Sequence, residues 1–238
     1  MRLLAGLLAI MAMPAFAVTC EDITYQSNSY TVCSVDVVSE DLRLFHSNDA
    51  GQVIGDFGNL AEGYPDKTLA FAMNAGMYHQ DRAPVGLYRE ANAQVSAIVT
   101  SDGPGNFGLL PNGVLCITDA SARVIESLAY VATNPTCRDA NQSGPMLVID
   151  GELHPRFLAD GTSRYIRNGV GTTSDGATAI LAISNDAVTF HDFGSLFRDY
   201  LRTPNALYFD GRVSRLHAPQ LDRSDFGFQL GPMIGVLE

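Results

Sequence analysis

Short apolar runs, each closed by a small polar turn containing glycine, recur along most of the chain. They read "AMNAGMY", "GPGNFG", "PNGV", "NQSGPMLV", "YIRNGVG" and "LYFDGRVS". Runs of four to eight residues are too short for packed helices and fit strands bounded by turns. Glycine at the ends of such strands permits positive φ or a close approach of backbone to another group. With 22 Gly and 11 Pro, the composition suits the same picture. The pattern therefore predicts a single strand-rich α+β domain, with a twisted mixed or antiparallel sheet and a few packed helices.

Residues 1–17 read as a signal peptide. Arg2 gives a positive start, Leu3 to Met13 is an apolar run too short to span a bilayer, and Ala15-Phe16-Ala17 is a small-x-small cleavage site. Cleavage near Ala17 leaves a domain over residues 18–238, destined for the periplasm or secretion, with no membrane span. Losing Arg2 takes the formal charge from −11 to −12, which argues against nucleic acid and anionic membranes as partners. Lys67 is the single lysine among 15 basic residues. Arginine suits bidentate binding of phosphate or carboxylate, although a GC-rich genome produces the same bias. Cys20, Cys33, Cys116 and Cys137 are an even set in an exported chain, which reads as two disulfides. Three pairings are open, and we expect the local one, Cys20 with Cys33 and Cys116 with Cys137.

Secondary structure follows from periodicity. "YTVCSVDVVSEDLRLF" reads as two strands with a turn near Ser39 to Asp41. Val53, Ile54, Phe57, Leu60 and Ala61 have helical spacing. "PMLVIDGELH" and "ATAILAISNDAVTFH" read as hairpins, the first around Asp150-Gly151. "DFGSLFRDYLRT" is the clearest helix, with Asp192 as its N-cap and Phe193, Leu196, Phe197, Tyr200 and Leu201 on one stripe.

Familiar catalytic motifs fail on context. "GPGNFG" has the glycine spacing of a dinucleotide loop, but "LLPNG" follows it where a helix is needed. Walker, HExxH, EF-hand and GxSxG patterns are missing, and the five histidines are scattered. What remains is the set of polar residues at the glycine-rich strand ends. If those ends converge, they make a polar pocket on a rigid floor. Against this, Asn112-Gly113 and Asp210-Gly211 are also what type I′ hairpin turns require. Arg167 is harder to treat as structural. It sits in a strand-like stretch, where an unpaired charge is expensive, and Asp210 or an anionic ligand would serve as its partner. In "FAMNAGMYHQDRAPVGLY" the loop after Met73 is longer than a plain hairpin needs. We expect it to line the pocket, with Asn74 and Gly76 at the floor and His79 to Arg82 at the rim.

The ordered series "NAGMY", "PVGLY", "GPGNF", "PNGV", "QSGPMLVIDG", "RNGVG" and "ALYFDGRVS" resembles the phosphodiester glycosidase domain family, particularly its small secreted bacterial members. The resemblance runs from about Tyr30 to Gly235. It implies hydrolysis of a sugar-1-phosphodiester at the glycosidic C1–O bond, with a small-molecule or glycan phosphodiester as substrate. It also implies Asp210 and Arg167 as catalytic residues, the first as essential carboxylate and the second on the phosphate. Asn74, Gly76, Gln142, Ser143, Gly144, Asn168, Gly211 and Ser214 would form the substrate-binding set. Asp81 and Asp102 are the nearest candidates for a second carboxylate. Arg212 stands where many members have Gly or Ser, and Ala75 replaces a glycine. No cofactor is implied with certainty, and a divalent cation held by oxygen ligands would be calcium or magnesium. Two rival readings use the same turns: a non-catalytic periplasmic module binding glycan or phosphate, and a structural envelope partner with a large exposed apolar patch.

Overall fold

The computed structural model describes residues 18–238, and the expected leader lies outside them. The chain runs β1 (Val18–Tyr25), β2 (Asn28–Asp36), β3 (Leu42–Phe45), α1 (Phe57–Glu62), β4 (Leu69–Asn74), β5 (Tyr88–Glu90) and β6 (Ala93–Ser96). It continues through β7 (Gly113–Ile117), β8 (Ala122–Glu126), α2 (Ser127–Thr133), β9 (Asp139–Ser143), β10 (Met146–Ile149) and β11 (Glu152–Leu153). Then come β12 (Asn168–Thr172), β13 (Thr178–Ser184), α3 (Phe190–Ser195), β14 (Asn205–Asp210), β15 (Leu216–Ala218), β16 (Arg223–Ser224) and β17 (Met233–Leu237).

The strands form three sheets: β1-β2-β13-β12-β14-β10-β11, β16-β15-β4-β17-β3 and β6-β5-β9-β7-β8. Every pairing in them is antiparallel. The expected strand-rich domain is present, and of the mixed or antiparallel arrangement it is the antiparallel one that forms; the α+β class is corrected to mostly β, with a small helical part. The physical reason lies in the connections. Parallel neighbours need long crossovers, usually helical, whereas these strands are joined by short turns and loops.

The period-2 alternation of the strands explains the layers. In β14, Leu207 and Phe209 face a core shared by all three sheets, while Ala206 and Tyr208 face the opposite side. In β4, Phe71 and Met73 point to the shared core and Ala72 points away. Each sheet thus buries both faces, one against the others and one beneath a short helical element. The back of the seven-stranded sheet is closed by Phe193, Leu196 and Phe197 of α3 and the turn that follows it. Phe57 and Leu60 of α1 close the second sheet, and Tyr130 of α2 closes the third.

Both local disulfides form, Cys20–Cys33 across β1 and β2 and Cys116–Cys137. The hairpin at Asp150-Gly151 is present, with Ile149 opposite Glu152. The two strands around the turn near Ser39 to Asp41 form as β2 and β3, and they lie in different sheets, so the turn crosses between layers. Other expectations need correction. The segment after β13 does not return as a strand, because Thr189 caps α3. Its hydroxyl accepts from the Asp192 amide at 3.0 Å, and the Asp192 carboxylate accepts from the Thr189 amide at 3.1 Å. Asp192 is thus the third residue of a capping box rather than the N-cap. The helix then widens into a π turn over Leu196–Tyr200. α1 is shorter than its apolar spacing implied, because the Asp56 side chain accepts from the Asn59 amide at 2.7 Å and starts the helix at Phe57.

Candidate active site

Three strand ends meet where the seven-stranded sheet abuts the second sheet. Asn74 ends β4, Asn168 begins β12 and Asp210 ends β14, with Asn168 and Asp210 directly paired in register. The side chains of Asn74 and Asn168 clasp one another. Asn168 Nδ2 donates to Asn74 Oδ1 at 3.0 Å and to Asn74 O at 2.9 Å, and Asn74 Nδ2 donates to Asn168 Oδ1 at 3.3 Å. Asn168 Oδ1 also accepts from the Asp210 amide at 3.1 Å and from Ser214 Oγ at 3.3 Å. Asn74 Oδ1 accepts from the Arg215 amide at 2.8 Å. Both asparagines are fully buried, so the pair joins two sheets and fixes the segment from Asp210 to Arg215.

That segment is not a hairpin turn. The strand after it, β15, pairs with β4 in the second sheet rather than returning along β14. Asp210 Oδ1 instead accepts from the amides of Gly211, at 2.6 Å, and Arg212, at 2.9 Å, holding the chain in a tight bend. Ser214 Oγ donates to Ile166 O at 3.0 Å. Asn112-Gly113 is no hairpin turn either. Gly113 begins β7, and Asn112 is buried with its side-chain oxygen accepting from Ser127 Oγ at 2.6 Å.

Asp210 lines a cavity of about 310 Å³ with Met77, Tyr78, Arg82, Arg212 and Phe228. Burial is the main influence on its carboxyl and raises its pKa above the ordinary range, against the lowering effect of the Arg212 and Gly211 amides. The loop after Met73 thus reaches the site through Met77, Tyr78 and Arg82, while His79 and Asp81 are exposed. An isolated bridge between Tyr78 and Pro84 closes this loop. Gly76 has φ of +102°, and a Cβ there would stand 2.6 Å from Asn141 Nδ2.

Arg167 points to the other face of the sheet from Asn168, as alternation requires. It is 1% exposed. Nε donates to Val188 O at 2.9 Å, Nη1 to Tyr208 Oη at 3.3 Å and Nη2 to Ser163 O at 3.1 Å. None of these acceptors is a carboxylate, so Asp210 is not its partner. The guanidinium lies over the Phe190 ring, 3.7 Å from its centroid. Burial pulls its pKa below the usual arginine range, with the Tyr208 hydroxyl opposing. Three of the five guanidinium N–H donors are engaged, and the others remain for a ligand. Arg167 lines a cavity of about 410 Å³ with Asn106, Ser163, Tyr165, Tyr208, Gly211 and Arg212. Arg212 is thus the wall common to the Arg167 cavity and that of Asp210. A Cβ at Gly211 would strike the Tyr208 hydroxyl, which makes glycine the residue that fits there.

Gln142, Ser143 and Gly144 lie apart from these cavities. Gln142 Oε1 accepts from the amides of Leu87 and Val99, each at 3.0 Å, and Nε2 donates to Ser127 Oγ at 2.9 Å. Ser143 Oγ donates to Phe209 O at 3.3 Å, and a Cβ on Gly144 would stand 2.7 Å from that of Asn112. These residues brace β9 and β14 beneath the site. Asp102 lines a different cavity, with Arg156. Sequence reasoning missed Tyr208, Phe190 and Tyr78, since aromatic residues in apolar runs carry no signal of facing a pocket. The setting of Asp210, beside Arg82 and Arg212, does not fit a divalent cation. Among the described residues, no three His, Cys, Asp or Glu side chains gather to hold one.

The chain matches the family described as phosphodiester glycosidase over residues 67–217, a span that holds Asn74, Arg167, Asn168, Asp210 and Ser214. It is 32% identical over 213 residues to the uncharacterized protein YigE of Escherichia coli K12, covering 88% of this chain and 83% of that one. The fold is similar to the catalytic domain of zebrafish N-acetylglucosamine-1-phosphodiester alpha-N-acetylglucosaminidase, auto-inhibited by its pro-peptide, with a TM-score of 0.59 at 12% identity. That alignment covers 93% of this chain and 82% of the other. A hypothetical protein from Synechocystis gives 0.58 at 14% identity, covering 93% of this chain and 62% of that one. A putative exported protein of Burkholderia pseudomallei gives 0.55 at 10%, covering 89% and 74%. With the family match spanning more than half of the sequence and enclosing the clasped strand ends, this chain belongs to the phosphodiester glycosidase family.

Proposed function

We propose that the protein is an exported hydrolase that cleaves the glycosidic C1–O bond of a sugar-1-phosphodiester. One observation carries the reading: a buried arginine with no carboxylate partner among the described residues and a half-buried carboxylate of raised basicity lie on either side of a single bend, Gly211–Arg212. Arg167 binds the phosphate through its two remaining N–H groups, in a site where burial strengthens each charge-assisted hydrogen bond. Asp210 takes a proton from the attacking water as the C1–O bond breaks, and the electron pair of that bond leaves on the phosphate oxygen. Because a phosphate monoester is a weak base, its departure needs little help from an acid, and the usual second carboxylate is less demanded. Asn74, Asn168 and Ser214 position this bend, and Tyr208 orients Arg167. The two disulfides support an oxidising compartment, the periplasm or outside the cell. Among the described residues, no helix is long and apolar enough to cross a membrane.

A second reading, a non-catalytic module that binds glycan phosphate, draws on a different observation. Asp210 is the one carboxylate on the wall of its cavity. Turnover separates the two. Wild type, Asp210→Asn and Arg167→Met are compared on an aryl phosphodiester of α-N-acetylglucosamine, with and without EDTA. The enzyme releases sugar irrespective of EDTA. Asp210→Asn slows it by about 10²- to 10⁴-fold, and Arg167→Met raises KM as well as lowering kcat. Tight binding of the substrate by wild type without release would establish the second reading.

A further inference from the structure

Next to the Asp210 cavity lies a larger one of about 620 Å³, whose wall includes Ile166, Arg212, Arg215, Phe226 and Phe228. It adjoins both cavities already described: Arg212 is common to all three, Gly211 to this one and the Arg167 cavity, and Phe228 to this one and the Asp210 cavity. Arg215 is 5% exposed, and its Nη2 is buried without an acceptor. Leaving a buried cationic donor unpaired is among the costlier things a fold can do. Asp225 on the same wall does not relieve it. That carboxylate pairs with Arg223 Nη2 at 3.0 Å and accepts from the Leu216 amide, also at 3.0 Å. The backbone of Arg215 is held by Asn74, so the asparagine clasp sets this arginine as well as the bend at Asp210.

The mouth of the cavity carries a second anomaly. Phe226 is 97% exposed and Phe228 81% exposed. Two neighbouring phenylalanines facing water on the wall of a cavity that also holds a buried arginine make a surface suited to stacking against the C–H face of a sugar ring, with the charge read beside it. We propose that this cavity is a subsite for a saccharide bearing its own anionic group, phosphate or carboxylate, held by Arg215 between the two phenylalanines. Placing that saccharide on the leaving-group side of the scissile bond rests on the hydrolase reading, and it makes the substrate an acidic glycan phosphodiester. The binding of an anionic sugar does not rest on it.

Calorimetric titration with methyl β-glucuronide, glucose 6-phosphate and neutral methyl glucoside tests the assignment without turnover. In wild type at least one anionic sugar binds roughly tenfold or more tighter than the neutral one, the scale of one charge-assisted contact. The tighter of the two names the anion. Arg215→Met removes the preference, while Arg167→Met keeps the preference for glucuronide. Phe226→Ser with Phe228→Ser, both exposed and therefore safe for folding, weakens all binding. Equal affinity for charged and neutral sugars in wild type overturns the proposal. So does wild-type binding in the serine pair, which also decides the matter should Arg215→Met fail to fold. If the N-acetylglucosamine phosphodiester goes uncleaved while glucuronide binding depends on Arg215, the hydrolase reading fails and the subsite stands.

Discussion

Replacing Asn168 with alanine tests the clasp between the two sheets. The change strands two buried donors: the Asp210 amide, which loses its 3.1 Å acceptor, and Asn74 Nδ2, which loses its 3.3 Å acceptor. A buried donor left without a partner costs about 1–2 kcal/mol, so the variant loses about 2–4 kcal/mol. For a chain of this length that is a fall in melting temperature of roughly 5–15 °C. Asn74→Ala strands the Arg215 amide, while Asn168 Nδ2 keeps its 2.9 Å bond to Asn74 O, so this variant loses about 1–2 kcal/mol. In the double variant both asparagine side chains are gone, and the stranded groups are the Asp210 and Arg215 amides. The two single losses together therefore exceed the double loss by about 1–2 kcal/mol, the contribution of the Asn74 amide group that no longer needs a partner. Guanidinium unfolding of the four proteins at equal m-value measures the cycle. Additivity within about 0.5 kcal/mol would show that the asparagines act separately and that the clasp has no energetic content.

Three further outcomes concern charge and covalent links. Asp210 has a pKa raised by burial, so the folded state binds its proton more tightly than the unfolded state does. The stability this gives at acidic pH is lost as pH rises from the ordinary aspartate range through the raised folded value, and Asp210→Asn flattens that loss in a melting series while slowing turnover. Glu90 follows the same sign, since burial pushes its pKa up to about 7. Glu90→Gln, which can still accept from Tyr88 Oη, gains melting temperature over wild type between pH 5 and pH 8 and is closest to it at the acidic end. Reduction of the disulfides, which bridge separations of 13 and 21 residues, lowers the unfolding free energy by about 3 kcal/mol for each bond broken. Denaturation with and without dithiothreitol reads this directly.

The strands and their turns were legible because apolar runs of four to eight residues between glycines have few other ways to fold. The layer arrangement was not. The runs at 30–37 and 42–45 read as two strands joined by a turn, with nothing local to say whether they pair, and only long-range pairing sends β3 to a different sheet from β2. Helix boundaries failed where a local side-chain cap outranked the apolar stripe, as at Thr189. For the site, Asn74 and Asp210 stand out at strand-end turns and Ser214 through the family resemblance, and with Asn168 they share one hydrogen-bond network in the structure. Gln142 has the same look in sequence, yet its amide is occupied by backbone groups of Leu87 and Val99. No local pattern separates a polar side chain that faces a cavity from one that replaces a missing ladder bond. Arg215 escaped notice because it follows a motif instead of standing in one, and its isolation is visible only when its neighbours are in place.

The clasp joins residues 94 positions apart, and the Arg215 amide reaches back 141 positions to Asn74. Neither half of the site has any geometry until sheets drawn from distant parts of the chain have docked. Contacts of this range close late, because their loop entropy is lost before they contribute anything in return. A partly folded molecule could contain well-formed hairpins and both disulfides and still hold Asp210 in no defined place. The appearance of an ordered bend at Gly211 would then serve as a clock for the end of folding.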